Sequence, residues 1–462
     1  MIDTNVLRKK IIDLAIAGKL TDHTSGNASE ELDKIIKTLN NSEQRYISDD
    51  EKWISIPSNW TWGRLVDLTT NSSLNDGDWV LSKDMVSEGP VKLIQLGSIG
   101  DCEYRYKGFK YLTEEHFNEL NGKQIYPGYL LINRLVVNKM LSCIIPKMNG
   151  ILMTAVDVCW VAPNDELYNL EYLMYVLSST GVQQKVKELG HGVTRFRISK
   201  LNLIDIAFPL PPINEQQQIV DIVNELFIIL KRIDDLQLSY VADYESLKNK
   251  AIEAGVYGKL TKQLSEDGSA DSLFEDIQKE KESLIKTKKL KKAKGLPTVE
   301  EGEEPFEIPD NWKWVRIGEV FTLQSGKNIT AAAIKNEADD DYRYLCYGGN
   351  GVRGYVSKSN VSGRHALIGR QGALCGNINM ADGDFYATEH AVVVYQYANT
   401  DPDWAGYVLK ALNLNQYATS VAQPGLAVGK IEKVLIPLPP VEEQKRIAKT
   451  IEDVLAAIDM AG

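Results

Sequence analysis

At 462 residues, 44% of them hydrophobic and 25% charged, the chain is long enough to bury two or more cores. No apolar run nears the roughly 20 residues that cross a bilayer, and Met1-Ile2-Asp3-Thr4 lacks the basic stretch and apolar run of a leader, so a cytoplasmic protein with no membrane contact is expected. A formal charge of -11 argues against a uniformly basic nucleic-acid binder, yet Pro57 to Pro212 and Pro309 to Pro440 are each within about one charge of neutral, leaving the acidity to the remainder. Cys102, Cys143, Cys159, Cys346 and Cys375 are odd in number and form no CxxC, and the five histidines are dispersed, so neither disulfides nor a metal site is expected.

In chain order, Leu7 to Leu20 reads as an amphipathic helix closed by Gly-Lys-Leu-Thr21, followed by a short charged helix at Ala28 to Leu39. The block IPSNWTWGRL (Ile56 to Leu65) opens a mixed stretch with strand-like runs at Val91 to Gly97, Tyr129 to Asn133, Leu141 to Ile145 and Val156 to Val161, and a helix at Leu170 to Lys187. A polar segment, Gly190 to Lys200, leads to PLPPINEQQQI (Pro209 to Ile219), where the prolines end an extended run and Glu215 suits a helix start. From there Ile219, Ile222, Leu226, Ile229, Ile233, Leu236, Tyr240, Tyr244, Leu247, Ala251 and Ala254 alternate by three and four. This heptad seam predicts one helix from Ile213 to about Leu260, roughly 70 Å long.

The second half repeats the plan. Gly-Lys-Leu-Thr returns at Gly258 to Thr261, then a charged helix at Ala270 to Lys292 with a lysine run through Lys294, then an acidic linker, Glu300 to Glu307. IPDNWKWVRI (Ile308 to Ile317) opens a second mixed stretch with strands at Tyr342 to Tyr347, Arg364 to Ile368 and Ala391 to Tyr397, and a helix near Trp404 to Asn413. A polar segment, Ala422 to Lys430, precedes PLPPVEEQKRI (Pro437 to Ile447) and a last helix, Val441 to Met460. Three blocks thus recur in the same order at a period of roughly 230 to 250 residues, the size of a duplicated domain. The stretches between the second and third blocks differ in sequence, as expected of one framework presenting two different heads. The expected division is 1–55 helical framework, 56–212 first mixed domain, 213–262 central coiled-coil helix, 263–307 charged helix and linker, 308–440 second mixed domain and 441–462 terminal coiled-coil helix. The two ends supply a broken second copy of the central helix, to pack antiparallel on it as a pseudo-twofold α+β molecule.

Candidate DNA contacts fall on the polar segments and nearby turns. Thr194, Arg195, Arg197, Ser199 and Lys200 combine guanidinium forks suited to guanine or phosphate with hydroxyls suited to phosphate, and Lys107, Lys110, Arg134 and Lys139 complete the first set. In the second stretch Asn350 and Arg353 flank glycines that admit a close backbone approach. Arg364, Arg370, Gln371, Gln423 and Lys430 complete that set. Trp60, Trp62, Trp312 and Trp314 are expected to anchor cores rather than stack on bases. No Walker A, GxGxxG, Asn-Pro-Pro-Phe or Asp-Pro-Pro-Tyr occurs, so catalysis in this chain is not expected.

The paired IPxNWxW and PLPPxxEQ blocks, their order and the half-repeats at both ends resemble the specificity subunit of type I restriction-modification systems over essentially the whole chain. The resemblance implies two target recognition domains, each reading one half of a bipartite double-stranded DNA site, separated by long antiparallel coiled-coil helices that set their spacing. It implies a non-catalytic chain that docks two methylation subunits, for which Ile219, Leu226, Ile233, Leu247, Ile447 and Ile451 are the candidate contacts, and restriction/translocase subunits through them. S-adenosylmethionine, ATP and Mg are then expected on the partners and no cofactor on this chain. Two other classes stay open: a self-sufficient methyltransferase or nuclease, against which the missing motifs speak, and a purely structural adaptor, which the net acidity favours but the duplicated frame with different inserts does not explain.

Overall fold

Each recurring block has the same local task in both halves of the chain. The computed structural model describes residues 1–24, 26–40, 46–292, 295–372, 374–419 and 424–461. These pack as two units, Met1–Leu238 and Ser239–Gly462.

In the first unit, helices α1 (Thr4–Ile16) and α2 (Ala28–Thr38) precede strand β1 (Thr61–Gly63), the turn of helix α3 (Leu65–Leu68) and β2 (Leu74–Asp76). Then come β3 (Val91–Ile94), β4 (Phe109–Leu112), α4 (Glu114–Glu119), β5 (Leu130–Asn133), β6 (Leu141–Ile144), β7 (Ile151–Thr154) and β8 (Val158–Val161). Helices α5 (Leu170–Ser178), α6 (Thr180–Leu189) and α7 (Lys200–Ile204) follow, then β9 (Phe208–Leu210) and α8 (Ile213–Val256), which continues into the second unit. The helix expected over Leu170 to Lys187 breaks at Ser179, whose extended backbone (φ -65, ψ 152) separates α5 from α6.

The second unit adds α9 (Ala270–Lys286), β10 (Lys313–Arg316), α10 (Ile317–Val320), β11 (Thr322–Ser325), β12 (Tyr344–Gly348), β13 (Gly351–Val356) and β14 (Val361–Ser362). It continues through β15 (His365–Gly369), β16 (Ile378–Ala381), β17 (Asp384–Ala387), β18 (Ala391–Tyr395), α11 (Pro402–Ala411), α12 (Val428–Ile431), β19 (Leu435–Leu438) and α13 (Val441–Ala461). The charged helix ends at Lys286, short of Lys292, where Lys288 turns left-handed (φ 59); Lys294 lies outside the described residues.

The two inserts differ in sequence but share one topology. A four-stranded antiparallel sheet runs β2-β8-β5-β6 in the first and β11-β18-β15-β16 in the second. Beside it, β3 pairs antiparallel with β4 and parallel with β7, as β12 does with β13 and β17, the second insert gaining an edge strand, β14. The heads are unlike in side chains and alike in backbone.

The repeated blocks close each insert. IPxNWxW and PLPP pair as a two-stranded antiparallel ribbon, β1 with β9 (Trp62 opposite Pro209) and β10 with β19 (Trp314 opposite Pro437). Trp60, Trp62 and Trp312 are buried, as core anchors should be. The EQ pair then binds the other blocks. Glu215, fully buried, accepts from Thr21 Oγ1 (2.6 Å) and Asn59 Nδ2 (3.1 Å) and lies 2.7 Å from His23 Nδ1. Glu443, equally buried, accepts from Thr261 Oγ1 (3.2 Å), Gln263 Nε2 (2.9 Å) and Trp312 Nε1 (2.8 Å). Next to them, Gln216 and Gln444 accept the backbone N–H of Asn169 and Asp401 (both 2.9 Å), the residues that cap α5 and α11. Gly18 (φ +64) and Gly258 (φ +71) stop α1 and α8 in the left-handed region, and a Cβ on Gly18 would lie 2.5 Å from Pro57.

Each unit contains one antiparallel helix pair. In the first, Thr4 Oγ1 donates to Asp234 (2.5 Å) and the Arg8 guanidinium lies over Phe227 (5.0 Å), so α1 runs against the first half of α8. In the second, Lys248 pairs with Asp459 (2.5 Å) and Gly255 faces Ile451, so α13 runs against the last part of α8. The heptad seam is therefore used unevenly: Ile219 and Ala251 are buried, whereas Ile229, Leu236, Tyr240 and Leu247 are exposed. Ile219, Ile447 and Ile451 are fully buried in the cores of their own units, which corrects their assignment to partner binding. Leu226 and Ile233 are half-buried, and Leu247 is exposed.

Candidate nucleic-acid interface

The shared topology brings corresponding loops together in each unit. In the first, the β5–β6 turn meets the Gly190 to Lys200 segment, with Val136 N–H donating to Phe196 O (2.8 Å) and Ile198 N–H to Arg134 O (3.1 Å). It also meets the β7–β8 turn, Arg134 N–H donating to Asp157 O (2.9 Å). In the second unit Leu426 N–H donates to Arg370 O (2.9 Å) and Arg370 N–H to His390 O (2.8 Å). Arg134 and Arg370 thus occupy one position of the fold, and Asp157 and His390 another.

On the first unit, Arg195 and Arg197 project from a loop whose base is tied by reciprocal backbone hydrogen bonds between His191 and Arg197 (both 2.9 Å). Both are exposed and both face Asp157, at 3.0 Å from Arg195 Nη2 and 3.9 Å from Arg197 Nη1. Thr194 is exposed at the same tip. Lys139 forms an ion pair with Asp101, which also accepts from Ser178 Oγ (2.7 Å). Lys139 and Asp101 line a cleft of about 970 Å³ with Arg105, Asn133 and Leu135, and with Arg8 of α1 and Lys231 of α8; Arg195 and Arg197 do not line it. Lys107 and Lys110 are exposed at β4 and do not line this cleft.

Three residues proposed from sequence have other work. Arg134 is buried: its guanidinium pairs with Asp76 (2.9 Å) and donates to Ile198 O (3.1 Å) and Val156 O (2.6 Å), locking loops together, so it is corrected from DNA contact to internal strut. Ser199 caps α7, accepting from Asn202 N–H (3.1 Å), and Lys200 Nζ donates to Asn75 (3.2 Å).

On the second unit, Asn350, Arg353 and Gln371 line one cleft of about 720 Å³ with Gly348, His390 and Pro424. Among the described residues, Arg353 has no carboxylate within ion-pair distance. Arg370 is partly buried, its Nη1 3.5 Å from Ser325 Oγ. Lys430 is exposed on α12 but lines a different cavity, with Tyr257, Phe306 and Trp314. Gln423 lies outside the described residues.

Arg364 is corrected as well. Its guanidinium is forked onto Asp403 (2.7 to 3.0 Å) and reaches Asp382 (3.1 Å), and hydrogen bonding to Asp403 holds its pKa above even the usual arginine value. With both carboxylates in place it presents no net positive charge to a phosphate. Arg364→Ala is expected to leave DNA affinity within about twofold of the parent and to cost about 1 kcal/mol or less, because the pair is half-exposed. A gel-shift titration beside a urea melt checks both numbers.

The anions that restrain these cations, Asp76, Asp101 and Asp157, and also His390, do not stand out in the sequence. None carries a sequence signal separating it from other surface residues. Among the described residues no group of three or more His, Cys, Asp or Glu side chains stands where a metal ion is held. Burial pushes the Cys102 and Cys143 thiols up to about 12, so neither is a ready nucleophile. No helix among the described residues is long and apolar enough to cross a membrane.

A family model described as a type I restriction modification DNA specificity domain matches residues 144–236 and 309–461, more than half of the chain. The chain is 48% identical over 136 residues to the type I restriction enzyme EcoprrI specificity subunit of Escherichia coli, covering 29% of this chain and 34% of that protein. To the EcoAI specificity subunit of the same organism it is 23% identical over 375 residues, 69% of this chain and 63% of that protein. It therefore spans about a third and just under two thirds of these relatives' lengths. In fold it is similar, with a TM-score of 0.58 at 17% identity, to a chain solved in work on complex assembly and conformational transition of the type I R-M system, covering 88% of this chain and 93% of that one.

Proposed function

This chain belongs to the type I restriction-modification DNA specificity family, and from that premise we propose that it is a non-catalytic DNA-reading subunit, each unit presenting one loop cluster to one half of a bipartite duplex site. The observation that carries this is the recurrence of the same loop junction in both units on inserts whose side chains differ. One backbone design with two sets of exposed side chains suits the reading of two different base sequences, because phosphate contacts position a protein and side-chain contacts to base edges specify the site.

Chemistry falls to partners in this reading. Two methylation subunits supply S-adenosylmethionine, and restriction/translocase subunits, joined through the complex, supply ATP and Mg. Their docking is supported on each unit by exposed apolar residues of α8, Leu236 and Leu238 in the first and Tyr240, Val241 and Leu247 in the second. The assembly works in the cytoplasm, where the DNA is.

The test is Arg353→Ala combined with Gln371→Ala in the chain assembled with its methylation subunits. Specific affinity is expected to fall about 10- to 100-fold, as for one or two lost base contacts. Single-molecule methylation mapping should then show relaxed bases in one half of the site only. Relaxation in both halves, or an unchanged site, defeats the assignment of one cluster to one half-site.

A further inference from the structure

Three cations at the first unit's loop cluster are already paired with carboxylates: Arg195 and Arg197 with Asp157, and Lys139 with Asp101. For a surface that meets phosphates this is unexpected. Asp157 is the least exposed member of its group, at 16% against 70% and 53% for the two arginines. Its backbone carbonyl is fixed by Arg134 N–H, so its position is set by the fold while the arginines lie on a projecting loop. At the loop tip Val193 is fully exposed, leaving the arginines open to an incoming ligand.

The second unit is an internal comparison. The equivalent position is His390, and the described residues of the equivalent segment, Thr419 and Pro424 to Leu426, include no arginine. The cation at that cleft is Arg353, from a different turn. Within one chain, this single position holds a carboxylate where the loop bears arginines and a histidine where it does not, the neighbouring Glu389 being paired with that histidine (3.3 Å).

We propose that Asp157 is a specificity-determining positioning residue: an intramolecular stand-in for a DNA phosphate that holds Arg195 and Arg197 in the unbound chain and lowers its affinity for duplex of arbitrary sequence. A carboxylate and a phosphate oxygen offer the same acceptor to a guanidinium fork. Binding thus exchanges one acceptor for another instead of adding a new one, and only a duplex that supplies further base contacts gains fully from the exchange. The fixed negative charge also offsets roughly one phosphate contact in the counterion balance. The inference rests on the DNA-reading function proposed above.

The experiment compares the parent, Asp157→Asn, Arg195→Ala with Arg197→Ala, and the triple variant, each assembled with its methylation subunits. Each is titrated with a duplex carrying the mapped site and with one lacking it, at about 50 and 200 mM salt. Asp157→Asn keeps the shape and the backbone carbonyl, and a matching melting curve confirms that it folds. Expected are about a 3- to 10-fold gain in affinity for the duplex lacking the site, a smaller gain for the one carrying it, and hence a reduced ratio. The gain should shrink about threefold between the two salt concentrations, the effect of one phosphate contact, and vanish in the triple variant.

A fall in affinity for the specific duplex alone would make Asp157 a direct base contact and overturn the proposal. So would a gain that persists without the arginines, which would be a general charge effect. If the arginine variant binds like the parent, the loop lies outside the interface and the proposal fails while the DNA-reading function stands. If the parent assembly binds neither duplex, that function fails first.

Discussion

Glu443→Ala is expected to destabilise the second unit by about 3 kcal/mol, measured as a shift in the urea midpoint at unchanged slope. The carboxylate is fully buried and accepts from Thr261 of the Gly-Lys-Leu-Thr block, from Gln263 just beyond it and from the Trp312 indole of the IPxNWxW block. Alanine leaves the buried Trp312 indole N–H without an acceptor, at about 1 to 3 kcal/mol, and the hydroxyl of half-buried Thr261 adds a part of that again, while exposed Gln263 turns to water. Glu443→Gln retains one acceptor oxygen and should lose about half as much. A loss below about 1 kcal/mol for alanine would mean that water replaces the carboxylate and that the buried junction does not hold the three blocks together. Glu215 gives the parallel experiment in the first unit, with His23 in the place of Gln263.

Gly326→Ala is expected to cost at least about 3 kcal/mol and to abolish reading of one half-site. A Cβ there would lie 2.1 Å from Ala387 O and 2.5 Å from Thr388 O. Both are main-chain atoms where β17 turns into β18, so the clash cannot be relieved by a rotamer change. Relief would break the bonds from Gly326 N–H to Ala391 O and from Lys327 N–H to Ala387 O (both 3.0 Å), which tie the end of β11 to that turn. His390 and the cleft behind it lie on the same turn. Gly77, at the same place in the first unit, would set a Cβ 2.4 Å from Thr154 O. Urea denaturation with methylation mapping checks the pair: a tolerated alanine at either site would show that the turn has room to move.

The framework was legible in the sequence because its requirements are local and occur twice. Glu215 and Glu443 each take a threonine hydroxyl from the Gly-Lys-Leu-Thr block and a second donor from the IPxNWxW block, Asn59 in one and Trp312 in the other, so both blocks reappear in the same places. The long helix was readable from its seam, and Gly258 explains why it stops at Val256 rather than at Leu260. The common topology of the inserts was not readable. Their strands are two to six residues long and find partners far away in sequence, as Val91 does in Ile151 and Leu345 in Phe385, so a wide range of apolar sequences satisfies the same pairing. The candidate site was legible by residue type and less so by role. Arg134, Arg195 and Arg364 look equivalent on paper; Asp76, Asp157 and Asp403 make one a strut, one a restrained surface cation and one a neutralised pair.

The grip of Gln216 and Gln444 on the inserts has an evolutionary corollary. What each glutamine holds is a peptide N–H, at Asn169 and Asp401, and the glutamine in turn donates to the carbonyl of Pro211 or Pro439. An amide proton is present whatever side chain occupies the position, proline excepted. Under the proposed function, substitutions can therefore accumulate across an insert without any compensating change at this attachment point, so the sequence read can diversify while the anchoring chemistry stands still.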